Sequence, residues 1–174
     1  MIWHNATDNC GDILIEPAVV NLIRSHCQNQ PGISESGGIL LGYRRGSHLH
    51  IVDATTPQPD DQCTRFQFFR RDPYHQQVAI SKWDMSGNTL DYIGEWHTHP
   101  EPDPMPSSLD MSEWKKICCA RKTNMVFLIA GWTGAFWLGV GRGQHIEKAT
   151  EVNIEDVRVE ICTLDTYPTL GNDG

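Results

Sequence analysis

The sequence lacks any apolar stretch long enough to cross a membrane, and it lacks concentrated positive charge. The longest apolar runs, such as residues 125–130, are far shorter than the ~20 residues that a membrane-spanning helix needs. The formal net charge is −8, and no basic cluster is denser than Arg44-Arg45 or Arg70-Arg71. Because a nucleic-acid-binding protein would carry a basic stripe, we expect neither a nucleic acid nor a membrane as partner.

The sequence also lacks a secretory signal, an internal repeat, a low-complexity segment and a long linker. Its first residues, Met-Ile-Trp-His-Asn, form neither a basic nor an apolar region, which predicts a cytoplasmic protein. Six cysteines could indicate a disulfide scaffold or a metal site, but without a secretory signal they favour reduced, mostly buried thiols. With 174 residues and 39% hydrophobic content, the sequence predicts one globular domain over residues 1–174.

Hydrophobic periodicity and turn residues predict an intermixed set of helices and strands. The predicted helices cover residues 17–29, 72–85 and 107–121, and the predicted strands cover 37–43, 48–54, 65–69, 90–96, 125–130, 135–140 and 145–154. Four prolines within residues 100–106 exclude a helix there and predict a stiff loop. This order favours an α/β or α+β single domain, with residues 155–174 as a C-terminal tail.

Two histidines, His97 and His99, lie just after the end of the strand that is predicted over residues 90–96. Side chains at positions i and i+2 of an extended segment face the same side, so His97 and His99 can reach one ion. Ser107 follows seven residues later, and Asp110 follows after two more. Two neutral imidazoles and one carboxylate are the ligand set of an open catalytic Zn²⁺ site, with a fourth position left for water. The pattern therefore predicts metal-assisted hydrolysis.

Each half of this pattern has a simpler interpretation when it is taken alone. Residues 107–110 are also typical of a helix N-terminus with a serine cap and an acid in the first turn. A second pair, His48 and His50, shares one face of another predicted strand, but Asp53 would point to the opposite face. We interpret that second pair as solvent-facing. The first pair differs because its strand ends at a proline-rich loop, which can bring a helix N-terminus back to it.

These residues resemble the signature of the JAMM (MPN+) metallopeptidase family. The signature is an upstream glutamate followed by His-x-His-x7-Ser-x2-Asp, and this sequence fills every position with Glu35, His97, His99, Ser107 and Asp110. The resemblance covers approximately residues 12–142. It implies a mixed, curved β-sheet flanked by helices.

The resemblance also implies a role for each of these five residues. His97, His99 and Asp110 would bind one catalytic Zn²⁺ and its water. Glu35 would act as general base and then as general acid, and partial burial would raise its pKa for this role. Ser107 would donate a hydrogen bond to the oxyanion of the tetrahedral intermediate.

Three segments look like a bacterial branch of this family: residues 38–42, 69–76 and 92–100. That branch accompanies ubiquitin-like conjugation genes in anti-phage operons with cyclic-oligonucleotide signalling, the CBASS systems. Its peptidase is similar to a deubiquitinase and removes a nucleotidyltransferase (CD-NTase) that an E1/E2-like enzyme has attached, through its C-terminus, to target amines. The resemblance implies a protein substrate whose extended tail lies beside an edge strand.

Two alternatives and one residue stay open at this point. The protein could process small sulfur-carrier or ubiquitin-like proteins, or it could be a non-catalytic MPN scaffold. Such scaffolds typically lack the Glu, His and Asp set that is intact here. Glu95 shares the His97 face of its strand, where it is either a partner of a ligating histidine or a structural carboxylate.

Overall fold

The computed structural model describes residues 1–5, 11–30 and 32–152. The helices in these ranges are α1 (Pro17–Arg24), α2 (Tyr74–Met85) and α3 (Ser108–Arg121), and the strands are β1 (Ile2–His4), β2 (Asp12–Ile15), β3 (Gly37–Arg45), β4 (His48–Ala54), β5 (Gln62–Thr64), β6 (Gln67–Phe69), β7 (Asp91–Thr98), β8 (Met125–Ala130), β9 (Phe136–Arg142), β10 (His145–Lys148) and β11 (Thr150–Glu151). Across the described ranges, no helix combines the length and the apolar character that a bilayer crossing requires. The predicted tail, 155–174, lies outside the described residues.

Nine of these strands form one mixed, curved sheet. Its order is β10-β9-β8-β7-β3-β4-β2-β1-β11, and the pairs β2–β4 and β7–β8 are parallel. The strands β5 and β6 form a separate antiparallel hairpin. The predicted fold class, a mixed curved sheet flanked by helices in an α+β domain, is confirmed.

The strand β8 shows that the middle of the sheet is strongly apolar. All six of its residues are buried, because both faces of the sheet are covered. Val126 and Leu128 face the cluster that contains Ile23 of α1. Phe127 faces the other cluster, where its ring stacks on Trp114 of α3 at a centroid distance of 4.7 Å. A run without alternation is therefore what this central position requires.

The strand β7 runs between β3 and β8 and delivers its last residues to one end of the sheet. His97 is paired with Gly37 at the start of β3 and with Ile129 near the end of β8. The segment before β3 and the loop after β7 therefore meet at this end. Trp96 is almost fully buried, as expected for a core residue, and its indole N–H donates to the carbonyl oxygen of Thr55 at 2.9 Å.

The first two strands and the hairpin differ from the sequence-based prediction. The strands β1 and β2 were not predicted, because three or four residues are too short to show a reliable period. The single strand predicted over residues 65–69 is a hairpin of two three-residue strands. The segment predicted as 145–154 divides into β10 and β11, and its last two residues lie outside the described ranges.

The helix α1 also ends earlier than its pattern predicts. It stops at Arg24, although the apolar spacing continues to Cys27. The Ser25 hydroxyl donates to the carbonyl oxygen of Leu22 at 2.6 Å, and such side-chain bonds to the backbone compete with helix propagation. The chain then leaves the helix, and Gln28 becomes buried away from it.

The prediction of mostly buried thiols is only half right. Cys118 is buried and Cys27 is half-buried, whereas Cys63 and Cys119 are exposed. The other two cysteines, Cys10 and Cys162, lie outside the described residues. The four described thiols are free.

We expect Cys118→Ser to leave turnover unchanged and to lower the free energy of unfolding by about 1–3 kcal/mol, because it buries a hydroxyl in an apolar cluster. Burial, and after it the neighbouring Cys119, raises the pKa of the Cys118 thiol to about 11, so this thiol is a poor nucleophile at neutral pH. Urea unfolding and a peptidase assay measure the two effects. Cys119→Ser, at an exposed position, is the matched control. An inactive Cys118→Ser protein that still binds its metal would contradict this expectation.

Candidate metal centre and active site

The two motif histidines meet at the C-terminal end of β7. The Nε2 atoms of His97 and His99 lie 3.0 Å apart, and the two residues are only 8% and 7% exposed. Burial, opposed by Asp110 and assisted by His99, lowers the pKa of His97 to about 4. The His97 imidazole is therefore neutral at pH 7. Two imidazole nitrogens this close need a proton or a cation between them.

The carboxylate of Asp110 lies against the same point. Its Oδ1 is 3.4 Å from Nε2 of His97, and its Oδ2 is 3.5 Å from Nε2 of His99. Although burial opposes it, the bonds and charges of His99, His97 and Ser107 lower the pKa of Asp110 to about 2. A neutral imidazole and an ionised carboxylate are the protonation states that bind a metal ion.

Asp110 is held in place by the start of α3. The Ser107 hydroxyl donates to Oδ2 of Asp110 at 2.6 Å, and the Ser107 amide donates to the same oxygen at 2.7 Å. The amide of Asp110 donates back to the Ser107 hydroxyl at 3.2 Å, which completes a capping box. The helix-cap interpretation is therefore correct, and the same cap aims the carboxylate at the histidines.

The proline-rich loop between β7 and α3 is anchored to the loop after β8. The Trp132 amide donates to the carbonyl oxygen of Glu101 at 2.9 Å, and the Thr133 hydroxyl donates to that of Pro102 at 2.6 Å. Gly131 is required at this contact, because a Cβ atom there would lie 2.5 Å from the Glu101 oxygen. This anchor returns the chain to the end of β7, as the sequence predicts.

The three donor groups fit a tetrahedral metal ion. Metal–ligand bonds of about 2.0–2.2 Å place tetrahedral ligand atoms about 3.3–3.6 Å apart. Asp110 lies within this range of both histidines, with Oδ1 3.4 Å from Nε2 of His97 and Oδ2 3.5 Å from Nε2 of His99, and the two Nε2 atoms are slightly closer together, at 3.0 Å. The residues present therefore suit a small divalent ion of the zinc type.

Glu35 lies beside this centre on the segment that leads into β3. It is 4% exposed, and its Oε1 is 3.9 Å from Nε2 of His99, farther than the Asp110 oxygens. One carboxylate oxygen of Glu35 and one nitrogen of each histidine all lie within 4.8 Å of one another. Burial, and after it the carboxylates of Asp110 and Glu101, raises the pKa of Glu35 to about 8. The prediction of a raised pKa is confirmed.

In the described part of the chain, the second histidine pair does not share one carboxylate: Asp12 lies 3.6 Å from His48, and Glu16 contacts His50. His48 is exposed, whereas His50 is half-buried and contacts Glu16, with 2.6 Å between Nε2 and Oε1. Asp53 forms its ion pair with Lys82 of α2. The prediction that the pair faces solvent is correct for His48 and only partly correct for His50.

Comparison with known families identifies the family to which this chain belongs. Residues 16–145 match the family described as prokaryotic homologues of the JAB domain. The chain belongs to this family. The resemblance to JAMM proteins that was drawn from the motif is confirmed at the level of the family.

Several relatives of this JAB domain carry names that describe an activity. A protein named CD-NTase/cGAS isopeptidase from Pseudomonas aeruginosa is 38% identical over 67% of this chain and 74% of its own length. A protein of the same name from Vibrio cholerae is 37% identical over 73% of this chain and 80% of its own length. A probable metalloprotease from Sinorhizobium fredii is 26% identical over 78% of this chain and 85% of its own length.

The solved structures contribute a likeness of fold. The solution structure of protein DSY2949 from Desulfitobacterium hafniense superimposes with a TM-score of 0.57 and 20% identity. The match covers 78% of this chain and 88% of that one. It supports the fold alone.

A groove beside the candidate metal centre of this JAB domain was not predicted from the sequence. One wall is formed by residues of β6, and the other is formed by the first two turns of α3 with Leu109 and Glu113. The ring of Phe68 fixes the β6 wall against Gly37, where an added Cβ atom would lie 2.5 Å from the ring. Gly37 is paired with His97, so the hairpin wall adjoins the histidine pair directly.

Glu95, whose role the sequence left open, lines this groove. Its Oε1 accepts from Nε and Nη2 of Arg70 at 3.0 and 2.6 Å and from the Tyr92 hydroxyl at 3.0 Å. Burial, and after it the charge of Glu95, raises the pKa of Tyr92, so this phenol remains a donor. The bonds of Oε1 favour the structural interpretation of Glu95 and secure Arg70, the residue that follows β6.

Proposed function

We propose that this protein is a zinc-dependent isopeptidase that cleaves after the C-terminus of a protein conjugated to a target amine. One observation carries the proposal: two buried Nε2 atoms and the Asp110 carboxylate have the spacing of metal ligands, and a buried glutamate lies beside them. The donor set of His97, His99 and Asp110 leaves one tetrahedral position free, as in catalytic zinc sites.

The reaction is hydrolysis of an amide bond. A Zn²⁺ ion held by His97, His99 and Asp110 would supply Lewis acidity, activating water and polarising the carbonyl group. Glu35 takes one proton from the attacking water and passes it to the leaving amine as the C–N bond breaks. Its burial suits this task, because a pKa raised to about 8 lies close enough to neutral pH for the carboxylate both to accept the proton and to release it. The products are the free carboxyl terminus and the free amine of the target.

Ser107 has two roles in this proposal. In the structure its hydroxyl proton is directed to Asp110, which orients the carboxylate. Turned toward the substrate, the same hydroxyl donates to the oxyanion that forms during attack, an effect of about 3 kcal/mol for a well-aimed donor. Its place at the N-terminus of α3 favours negative charge at that point.

The groove suggests how the substrate is held. Residues of β6 line the groove, and within the described residues this strand pairs with β5 alone, which leaves its other edge without a strand partner. An extended C-terminal tail could add to this edge by backbone hydrogen bonds, which leaves side-chain pockets to decide specificity. The names of the relatives support a CD-NTase as the conjugated protein. We place the enzyme in a cytoplasmic anti-phage CBASS pathway, as the resemblance to the bacterial branch implies.

Both alternatives make different demands on the protein. A non-catalytic MPN scaffold has no use for a buried ligand set with a glutamate beside it, so the assembled centre argues against that alternative. A peptidase that processes sulfur-carrier proteins would use the same centre. Only the substrate separates it from the proposed deconjugating enzyme.

A fusion of a CD-NTase to a reporter, joined at the transferase's own C-terminus, tests the proposal. We expect zinc-loaded protein to cleave after the last transferase residue, and we expect a chelator to abolish the cleavage, because the donor set then holds no ion. The cut site is measured by mass spectrometry. A sulfur-carrier fusion of the same design is the control. Cleavage of the carrier fusion alone would leave the metal chemistry in place and overturn the proposed substrate.

A further inference from the structure

One buried glutamine joins three segments that surround the metal centre. Gln28, 2% exposed, follows α1. Its Nε2 group donates to the carbonyl oxygens of Ile33 at 2.8 Å and Arg65 at 3.0 Å, and its Oε1 accepts from the Thr98 hydroxyl at 3.4 Å. Two carbonyl partners can accept only from the NH₂ group, so the orientation of the amide is defined.

The Thr98 end of this contact reaches the histidine pair. Thr98 lies between His97 and His99 in the sequence, and it is fully buried. Its Oγ1 accepts from the Ser36 amide at 3.0 Å. Its own hydroxyl hydrogen is therefore free to donate to Gln28. The Thr98 amide donates back to the carbonyl oxygen of Ser36 at 2.9 Å. The segment next to Glu35 is thus tied to the strand that carries the histidines.

The Arg65 end of this contact reaches the hairpin. The Glu35 amide donates to the carbonyl oxygen of Thr64 at 2.7 Å, directly before the carbonyl that Gln28 binds. Ile33, the third partner of Gln28, precedes Glu35 by two residues. The carboxylate of Glu35 and the β6 wall of the groove are therefore positioned through the same amide group.

We infer that Gln28 is a positioning residue that sets Glu35 and the hairpin β5–β6 relative to the histidine pair. The inference rests on the function proposed above. A catalytic group that moves by about 1 Å can cost as much as ~10²-fold in rate. Removal of the Gln28 amide takes away the donor that ties the carbonyl oxygens of Ile33 and Arg65 to the strand of the histidines, so both segments are freer to move.

Two substitutions separate the two ends of the contact. Gln28→Met keeps the length of the side chain and removes every bond. We expect kcat to fall about 10–100-fold and KM to rise several-fold, because the base and the groove wall both move. Thr98→Val removes the bonds of its hydroxyl to the Ser36 amide and to Oε1 of Gln28 but leaves the bonds of Gln28 to Ile33 and Arg65, so kcat should fall with little change in KM. Thr98→Ser restores the hydroxyl and should restore kcat.

Limited trypsin digestion gives a readout that does not depend on activity. The Arg65–Phe66 bond lies at the exposed turn between β5 and β6. In Gln28→Met we expect cleavage at this bond to be at least ~5-fold faster, because local opening of the hairpin costs less free energy. Cleavage after Lys116, in the middle of α3, should be unchanged.

The controls separate this inference from the proposed function. Ile23→Val loosens the fully buried core of α1 without touching the contact, and it should change neither kcat nor the trypsin pattern. Equal kcat, KM and trypsin cleavage in Gln28→Met and wild type would overturn the role of Gln28. If wild type cleaves no fusion, the proposed function fails, and the trypsin rates still decide whether Gln28 holds the hairpin. If Gln28→Met does not fold, the Thr98→Val and Thr98→Ser pair decides: equal kcat in both variants would overturn the inference.

Discussion

Replacing Glu35 by glutamine should abolish turnover and leave the metal in place. We expect kcat on the CD-NTase fusion to fall about 10³–10⁴-fold, the upper range for loss of a general acid–base group. Glutamine has the shape of glutamate but cannot accept the proton of the attacking water. The three proposed ligands are unchanged, so zinc content measured by atomic emission should stay at the wild-type level.

Glu16→Gln is the matched control for this substitution. Glu16 is also a glutamate beside a histidine, but its partner is His50 of the second pair. We expect this variant to keep both zinc and kcat. Substantial hydrolysis by Glu35→Gln would remove Glu35 from the role of general base, whatever its position in the structure.

The same substitution should stabilise the metal-free protein. An acid whose folded pKa, here about 8, lies above its ordinary value of 4.5 binds more protons folded than unfolded between these two pH values. Its stability contribution is therefore lost as pH rises through that window, by on the order of 3 kcal/mol for a buried group. Glu35→Gln removes this loss. In chelator-treated samples, the Tm difference between variant and wild type should grow from pH 5 to pH 8.

The stability that the metal-free protein loses when Glu35 ionises is a cost that we expect at a functional site. The carboxylates of Asp110 and Glu101 raise the pKa of Glu35 further, so metal-free protein holds repelling acids close together. A cation at the histidine pair opposes that repulsion, because an opposite charge within a few ångströms favours the ionised acid. Zinc should therefore raise Tm more in wild type than in Glu35→Gln.

The sequence could predict that His97, His99 and Asp110 meet at one point, because the information for this cluster is local. The alternation of side chains puts His97 and His99 on one face, and the prolines from residue 100 onward end the strand next to these two histidines. Ser107 and Asp110 belong to one helical turn, so the cap that aims the carboxylate is also a local pattern. The placement of Glu35 beside them came from the resemblance to the family.

The groove and Gln28 could not be predicted in this way. Gln28 bonds to Arg65, 37 residues away, and to Thr98, 70 residues away, and no periodic pattern encodes such distances. The hairpin β5–β6 has strands of three residues each, below the length at which alternation can be recognised. The fold class was recognisable because helices and strands are intermixed along the chain, with longer segments such as β8 and α3 whose type their residues define.

Replacing a proposed ligand should remove metal and turnover together. For His97→Ala and Asp110→Ala we expect zinc affinity to fall by more than ~10²-fold and kcat on the fusion by ~10³-fold or more, because two donors do not hold the ion in a catalytic geometry. Zinc should raise the Tm of wild type, since it binds the folded state, and should no longer raise that of either variant.

The second histidine pair is the built-in control for these ligand substitutions. His48→Ala and His50→Ala alter the same residue type in the same His-x-His spacing, but the nearby Asp53 is engaged by Lys82. Both should keep zinc, the zinc-dependent rise in Tm and full kcat. Unchanged zinc content in His97→Ala or Asp110→Ala would sink the ligand assignment. If the variants of both pairs lost zinc equally, the cause would be general destabilisation, because among the described residues only the first pair has one carboxylate within 3.5 Å of both imidazoles.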